Sequence, residues 1–98
     1  MNVRTIPVNF SADQKLVDFT EARLEKLAAI YDQIIGAEVH LKVENVSGKV
    51  NKLVEINLSV PGNNLIVKKQ CKSFEEAIDQ CVDALRRQIL KKKEKVRA

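Results

Sequence analysis

The chain has 98 residues, 45% of them hydrophobic and 31% charged, with 17 basic and 13 acidic side chains and a formal net charge of +4. Such a length fits one domain with a modest core, and such a balance fits a soluble globular protein. No apolar run is long enough for a transmembrane helix, and Met1 to Pro7 lacks the apolar stretch of a signal peptide, so a cytoplasmic protein with no membrane partner is expected.

Val3 to Val8 is β-branched and broken by Pro7, which lacks an N–H; it reads as a strand with an irregular end or at a sheet edge. Ser11-Ala-Asp-Gln14 has capping-box spacing. Leu16, Phe19, Leu24, Leu27, Ile30, Tyr31 and Ile34 then recur at three- and four-residue steps. They predict an amphipathic helix from about Asp13 to about Gln33, with Gly36 as its stop. The period next switches to two. Val39, Leu41 and Val43 alternate with His40, Lys42 and Glu44, and Val54, Ile56, Leu58 and Val60 with Glu55, Asn57 and Ser59. Turn chemistry at Asn45 to Lys49 and at Pro61 to Asn64 separates these strands from each other and from a further strand, Leu65 to Lys72. Two tight connections in a row imply an antiparallel meander. Ser73-Phe-Glu-Glu76 is a second capping box. It opens a long helix with an apolar stripe of Phe74, Ile78, Cys81, Val82, Leu85 and Ile89. Lys92 falls where the next core residue belongs, so the last turns should overhang the domain.

The order is β-α-β-β-β-α. It predicts an α+β two-layer sandwich: a four-stranded mixed sheet with two helices packed on one face. The last five elements share the order of a double-stranded-RNA-binding domain.

Catalysis is not expected. His40 is the lone histidine and sits on the predicted wet face, the acids are scattered, and Gly36, Gly48 and Gly62 form no phosphate-binding loop. Glu75 and Glu76 occupy a first helical turn, where carboxylates complement the helix dipole. Cys71, Cys81 and one histidine do not make a four-ligand zinc site, and the thiols read as two buried small apolar groups. No metal, cofactor or small-molecule substrate is implied.

The charge is concentrated. Residues 86 to 98 hold seven basic side chains (Arg86, Arg87, Lys91, Lys92, Lys93, Lys95 and Arg97) against Glu94 alone, a local net of +6. The other 85 residues hold ten basic and twelve acidic side chains, a net of −2. Dipole complementarity explains one or two cations in a last turn, not seven. A localised basic field on an acidic body attracts polyanions to one place. Arg23 and Lys26 stand off the stripe of the first helix, and Lys68, Lys69 and Lys72 lie near the start of the second. With the helices side by side, these join the basic end in one RNA-binding surface. The candidate contacts are Arg23, Lys26, Lys68, Arg86, Arg87, Lys91, Lys92, Lys93 and Lys95. Phe19, Tyr31 and Phe74 fit core positions, so base-stacking aromatics are lacking and recognition of RNA backbone and shape is favoured.

Three stretches carry a family likeness: Leu24-Glu-Lys-Leu-Ala-Ala-Ile-Tyr-Asp32, Phe74-Glu-Glu-Ala-Ile-Asp79, and Leu85-Arg-Arg-Gln-Ile-Leu-Lys-Lys-Lys-Glu-Lys95. With the element order, they resemble the bacterial ribosome hibernation-promoting factors, also known as ribosome-associated inhibitors or sigma-54 modulation proteins. The resemblance covers nearly the whole chain and implies one ribosome-binding domain over 1–98, in the family's short form without a C-terminal dimerisation domain. It implies binding to the small ribosomal subunit, through ribosomal RNA, in the channel for messenger and transfer RNA. Translation would be inhibited there in stationary phase or stress, alone or with a second hibernation factor. Carried over by position, Arg23 and Lys26 match basic sites of the family's first helix, and Arg87, Lys91, Lys93 and Lys95 those of its second. The chain departs at Ala22, Ala29 and Ala84, where many members are basic, and at Arg86, where some are acidic. Residues Pro7 to Phe10 lack the Gly-His run of some members. Two other classes stay open on the residues alone: a double-stranded-RNA-binding domain acting off the ribosome, and a module whose basic end meets an acidic protein.

Overall fold

In the computed structural model the elements follow the predicted order: β1 (Asn2–Val8), α1 (Gln14–Ile30), β2 (Gly36–Val46), β3 (Lys49–Ser59), β4 (Asn64–Cys71) and α2 (Phe74–Arg97). The structure describes the backbone of residues 2–8, 10–46 and 49–97, and the side chains of 2–8, 10–44 and 51–92. The strands form one sheet in the order β1-β2-β3-β4. β1 pairs with β2 in parallel, with α1 as the crossover, and β2-β3-β4 is an antiparallel meander. The sheet is therefore mixed, with Pro7 on an edge strand that tolerates its missing N–H.

Register assigns each face. Val39 pairs with Ile56, and Ile56 with Val67, so these three side chains share one face with Ala37, Leu41, Val54 and Leu58. Onto it pack Leu16, Leu24 and Leu27 of α1 and Phe74, Ala77, Ile78, Cys81, Leu85 and Ile89 of α2, all buried. Each fully buried Leu or Ile contributes about 1.5–3 kcal/mol, so this layer contact is the main source of stability. The opposite face carries Glu38, His40, Lys42, Glu55, Asn57 and Lys68.

α1 differs from expectation at both ends. Asp13, not Ser11, caps it: the carboxylate accepts from the Leu16 N–H at 2.8 Å. The helix stops at Ile30, three residues before Gln33, where Tyr31 turns to an extended backbone and its N–H donates to the Leu27 carbonyl. Ile34 keeps its place in the apolar pattern because it enters the core from the loop. Gly36 is not the helix stop. It opens β2 beside Asn2, and a Cβ there would lie 2.9 Å from the Asn2 carbonyl oxygen. At the second helix the expected cap is present in its Ser73 half: the hydroxyl accepts from the Glu76 N–H at 3.2 Å.

Val43 was expected inside and is 39% exposed. β1 ends opposite Lys42 and β4 ends opposite Lys52, so beyond them β2 and β3 continue as a two-stranded ribbon. Of the two thiols expected to be buried, Cys81 is and Cys71 is not. Cys81 is buried, its Sγ 3.7 Å from the Val54 carbonyl oxygen, and burial pushes the thiol up to about 12. Cys71 is only half-buried, and both are free thiols.

Candidate nucleic-acid interface

The two helices run in the same direction. Phe10, just before α1, stacks on Phe74 at the start of α2, with ring centroids 5.2 Å apart. Arg23 meets Asp79 further along, and a groove of about 460 Å³ continues between Lys26, Leu27 and Ile30 on one side and Val82, Asp83 and Arg86 on the other. Parallel packing sends both helix C-termini to the same end of the molecule, where the partial negative charge of each helix favours cations.

α2 reaches that end over the sheet. Its stripe closes at Ile89, the last buried residue among those described. One turn on, the Lys92 ammonium donates to the Pro61 carbonyl in the β3–β4 turn at 3.3 Å. The lysine sits at a core-facing position and carries its charge past the apolar layer to a carbonyl at the rim. The helix then continues through residues 93–97, about 7.5 Å of further rise.

Eight of the nine predicted contacts, all but Lys68, fall into four groups. Lys26, Arg86 and Lys91 are exposed on the helix layer and form no ion pair with a described residue. Arg23 and Arg87 are engaged. Arg87 pairs with Asp83 one turn earlier at 3.2 Å. The Arg23 guanidinium lies 4.7 Å from the Phe19 ring centroid, and its Nε sits 2.8 Å from Asp79 Oδ1. That Nε is buried without an aligned acceptor, so the Asp79 contact is electrostatic and not a formed hydrogen bond. Lys92 is half-buried and bonded to the turn. The side chains of Lys93 and Lys95 lie outside the described residues, on a helical backbone.

Lys68 departs from the expected surface. It pairs with Glu55 and alternates with the buried Val67, so it belongs to the uncovered face, with the sheet between it and the helices. Lys69 is the β4 lysine on the helix side, where it is half-buried. Asp79 and Asp83, which read as scattered acids in the sequence, both line the groove. Asp83–Arg87 is legible as a four-residue spacing, whereas Asp79–Arg23 depends on how the helices dock.

None of the four aromatic residues stands fully exposed: Phe74 is buried, and Phe10, Phe19 and Tyr31 are half-buried. The face offers cations and an apolar groove floor, not stacking platforms. Among the described residues, no group of three or more His, Cys, Asp or Glu side chains gathers as a metal site, and no helix is long and apolar enough to cross a membrane.

Comparison with known proteins accounts for this architecture. Residues 3–97 match the family model described as sigma 54 modulation protein / S30EA ribosomal protein. The chain belongs to this family. A ribosome hibernation promoting factor from Pseudomonas putida is 30% identical over 95 residues, covering 97% of this chain and 89% of the relative. The Thermus thermophilus Protein Y N-terminal domain superposes with a TM-score of 0.78 at 27% identity, covering 91% of this chain and 96% of that one. A ribosomal subunit interface protein from Coxiella burnetii shares the fold, with a TM-score of 0.85 at 18% identity over 96% of this chain and 99% of that one. The sigma 54 modulation / S30EA fold thus has the element order read from the sequence, and in this chain its helix layer bears the exposed Lys26, Arg86 and Lys91.

Proposed function

We propose that this member of the family is a ribosome hibernation factor. The whole chain acts as one cytoplasmic ribosome-binding domain that occupies the messenger- and transfer-RNA channel of the small subunit and silences translation in stationary phase or stress. The observation that carries this reading is the asymmetry of charge: Lys26, Arg86 and Lys91 stand exposed, with no ion pair to a described residue, on a helix layer that leads into the basic last turns of α2. Names borne by relatives support the ribosome as target.

The mechanism is occupancy. Lysine and arginine side chains replace counterions along ribosomal RNA phosphates, giving affinity that falls with salt and little base readout. A rigid domain seated in a channel excludes the ligands that must enter it, and no bond need form or break. Lys68 is set apart by the sheet and contributes to a second side of the domain or not at all.

Co-sedimentation with separated ribosomal subunits across a salt series tests the reading. Saturable, near one-to-one binding to the small subunit at physiological salt is expected. Binding of naked duplex RNA as tight as that of ribosomes would favour an RNA-binding domain acting off the ribosome. Retention on a protein partner after ribonuclease treatment would favour a protein-interaction module.

A further inference from the structure

We infer that Asp79 and Asp83 are specificity determinants of the helix face, holding back generic RNA so that a matching surface is preferred. This rests on the ribosome-binding reading above and deepens it. The two carboxylates stand in the groove between α1 and α2, among Arg23, Lys26 and Arg86. Both reach solvent, with side chains 52% and 60% exposed. The helix dipole does not explain them. Its effect is confined to the first turn, which Glu75 and Glu76 already fill. Asp79 and Asp83 sit in the second and third turns, on the side that a nucleic acid would approach.

Each carboxylate acts in two ways. It occupies an arginine, Arg23 at 2.8 Å and Arg87 at 3.2 Å, which is then withheld from a phosphate. It also places negative charge where a continuous phosphate backbone would run. A uniform polyanion meets repulsion at both positions. An RNA surface that sets phosphates over Lys26, Arg86 and Lys91, and hydroxyl or amino donors opposite the acids, meets none. Discrimination of this kind needs an element that penalises the wrong partner as well as one that attracts the right one. The cations alone supply only attraction, which is sequence-independent.

The test measures Asp83→Asn and Asp79→Asn against the unaltered protein, with two probes: small ribosomal subunits and a short naked RNA duplex. Among the described residues Asp83 pairs only within its own helix, at an exposed position, so its variant keeps the fold even if Asp79→Asn loosens the helix pair. Expected for Asp83→Asn is duplex binding roughly two- to fivefold tighter, the equivalent of one exposed ion pair. Its log–log salt slope should steepen by about 0.9, as for one further phosphate contact. Small-subunit affinity should rise less, so the preference for ribosomes falls. An equal gain on both probes, or none on the duplex, would overturn the inference and leave the ribosome-binding reading standing. An unaltered protein with no preference for the small subunit over the duplex would overturn both.

Discussion

The Lys92 ammonium of α2 donates to the Pro61 carbonyl of the β3–β4 turn at 3.3 Å, one turn beyond Ile89, the last buried residue among those described. Up to Ile89 the helix is fixed by burial, and its backbone stays helical to Arg97. Neighbouring lysines therefore have different work. Lys91 is exposed and forms no ion pair with a described residue, whereas Lys92 is half-buried and bonded to the turn.

That difference is measurable. Lys91→Ala should weaken ribosome binding and leave stability unchanged. Lys92→Ala should do the reverse, lowering stability by no more than about 1 kcal/mol with binding nearly intact. Urea titration and ribosome co-sedimentation of the two variants separate the effects. Equal losses of binding would show that the turn contact is given up on the ribosome.

Gly36→Ala should destabilise the fold. Its Cβ would come within 2.9 Å of the Asn2 carbonyl oxygen, which is backbone and has no flexible end to yield. Relieving the clash shifts the parallel β1–β2 pair, at about 1–3 kcal/mol. A thermal midpoint equal to that of the unaltered protein would contradict this.

Alkaline stability should report on Cys81. Burial raises its folded pKa to about 12 from an ordinary value of 9.0. Between these limits the unfolded chain has lost the thiol proton and the folded chain has kept it. The contribution is thus fully present below pH 9 and declines as pH rises toward 12. Denaturant unfolding at pH 8 and pH 11 should show a larger loss for the unaltered protein than for Cys81→Ser. The same loss in both would assign the effect to other groups.

Charge reversal at Arg87 and Lys91 together should abolish co-sedimentation with ribosomes without unfolding the domain, because both side chains are exposed. Circular dichroism and thermal melting check the fold. Undiminished binding of this double variant at physiological salt would move the interface elsewhere on the molecule.

Element order was readable because periodicity follows burial. Val54, Ile56 and Leu58 alternate since one sheet face is covered, and Ile78, Cys81, Leu85 and Ile89 recur at helical steps since one helix face is covered. The end of α1 was less legible. Ile34 extends the helical pattern although it reaches the core from a loop, and an apolar side chain carries no mark of its backbone conformation. Asp13 and Ser11 are both good caps, and only the geometry at Leu16 selects between them. At the interface, composition located the basic end but could not assign sheet faces. Lys68 and Lys69 are adjacent in sequence and opposite in space. Nor could spacing reveal the Arg23–Asp79 pair, which is made by helix docking across 56 positions.

The most direct test of channel occupancy is competition on the small subunit. Purified protein would be added to small subunits, alone or already loaded with messenger RNA and initiator transfer RNA, and the bound fraction measured after sedimentation. Saturable binding to empty subunits and loss of binding to loaded ones is the expected result, with excess protein in turn blocking loading. Equal binding to empty and loaded subunits would contradict the central claim, because a domain that shares the subunit with its ligands cannot silence it by exclusion.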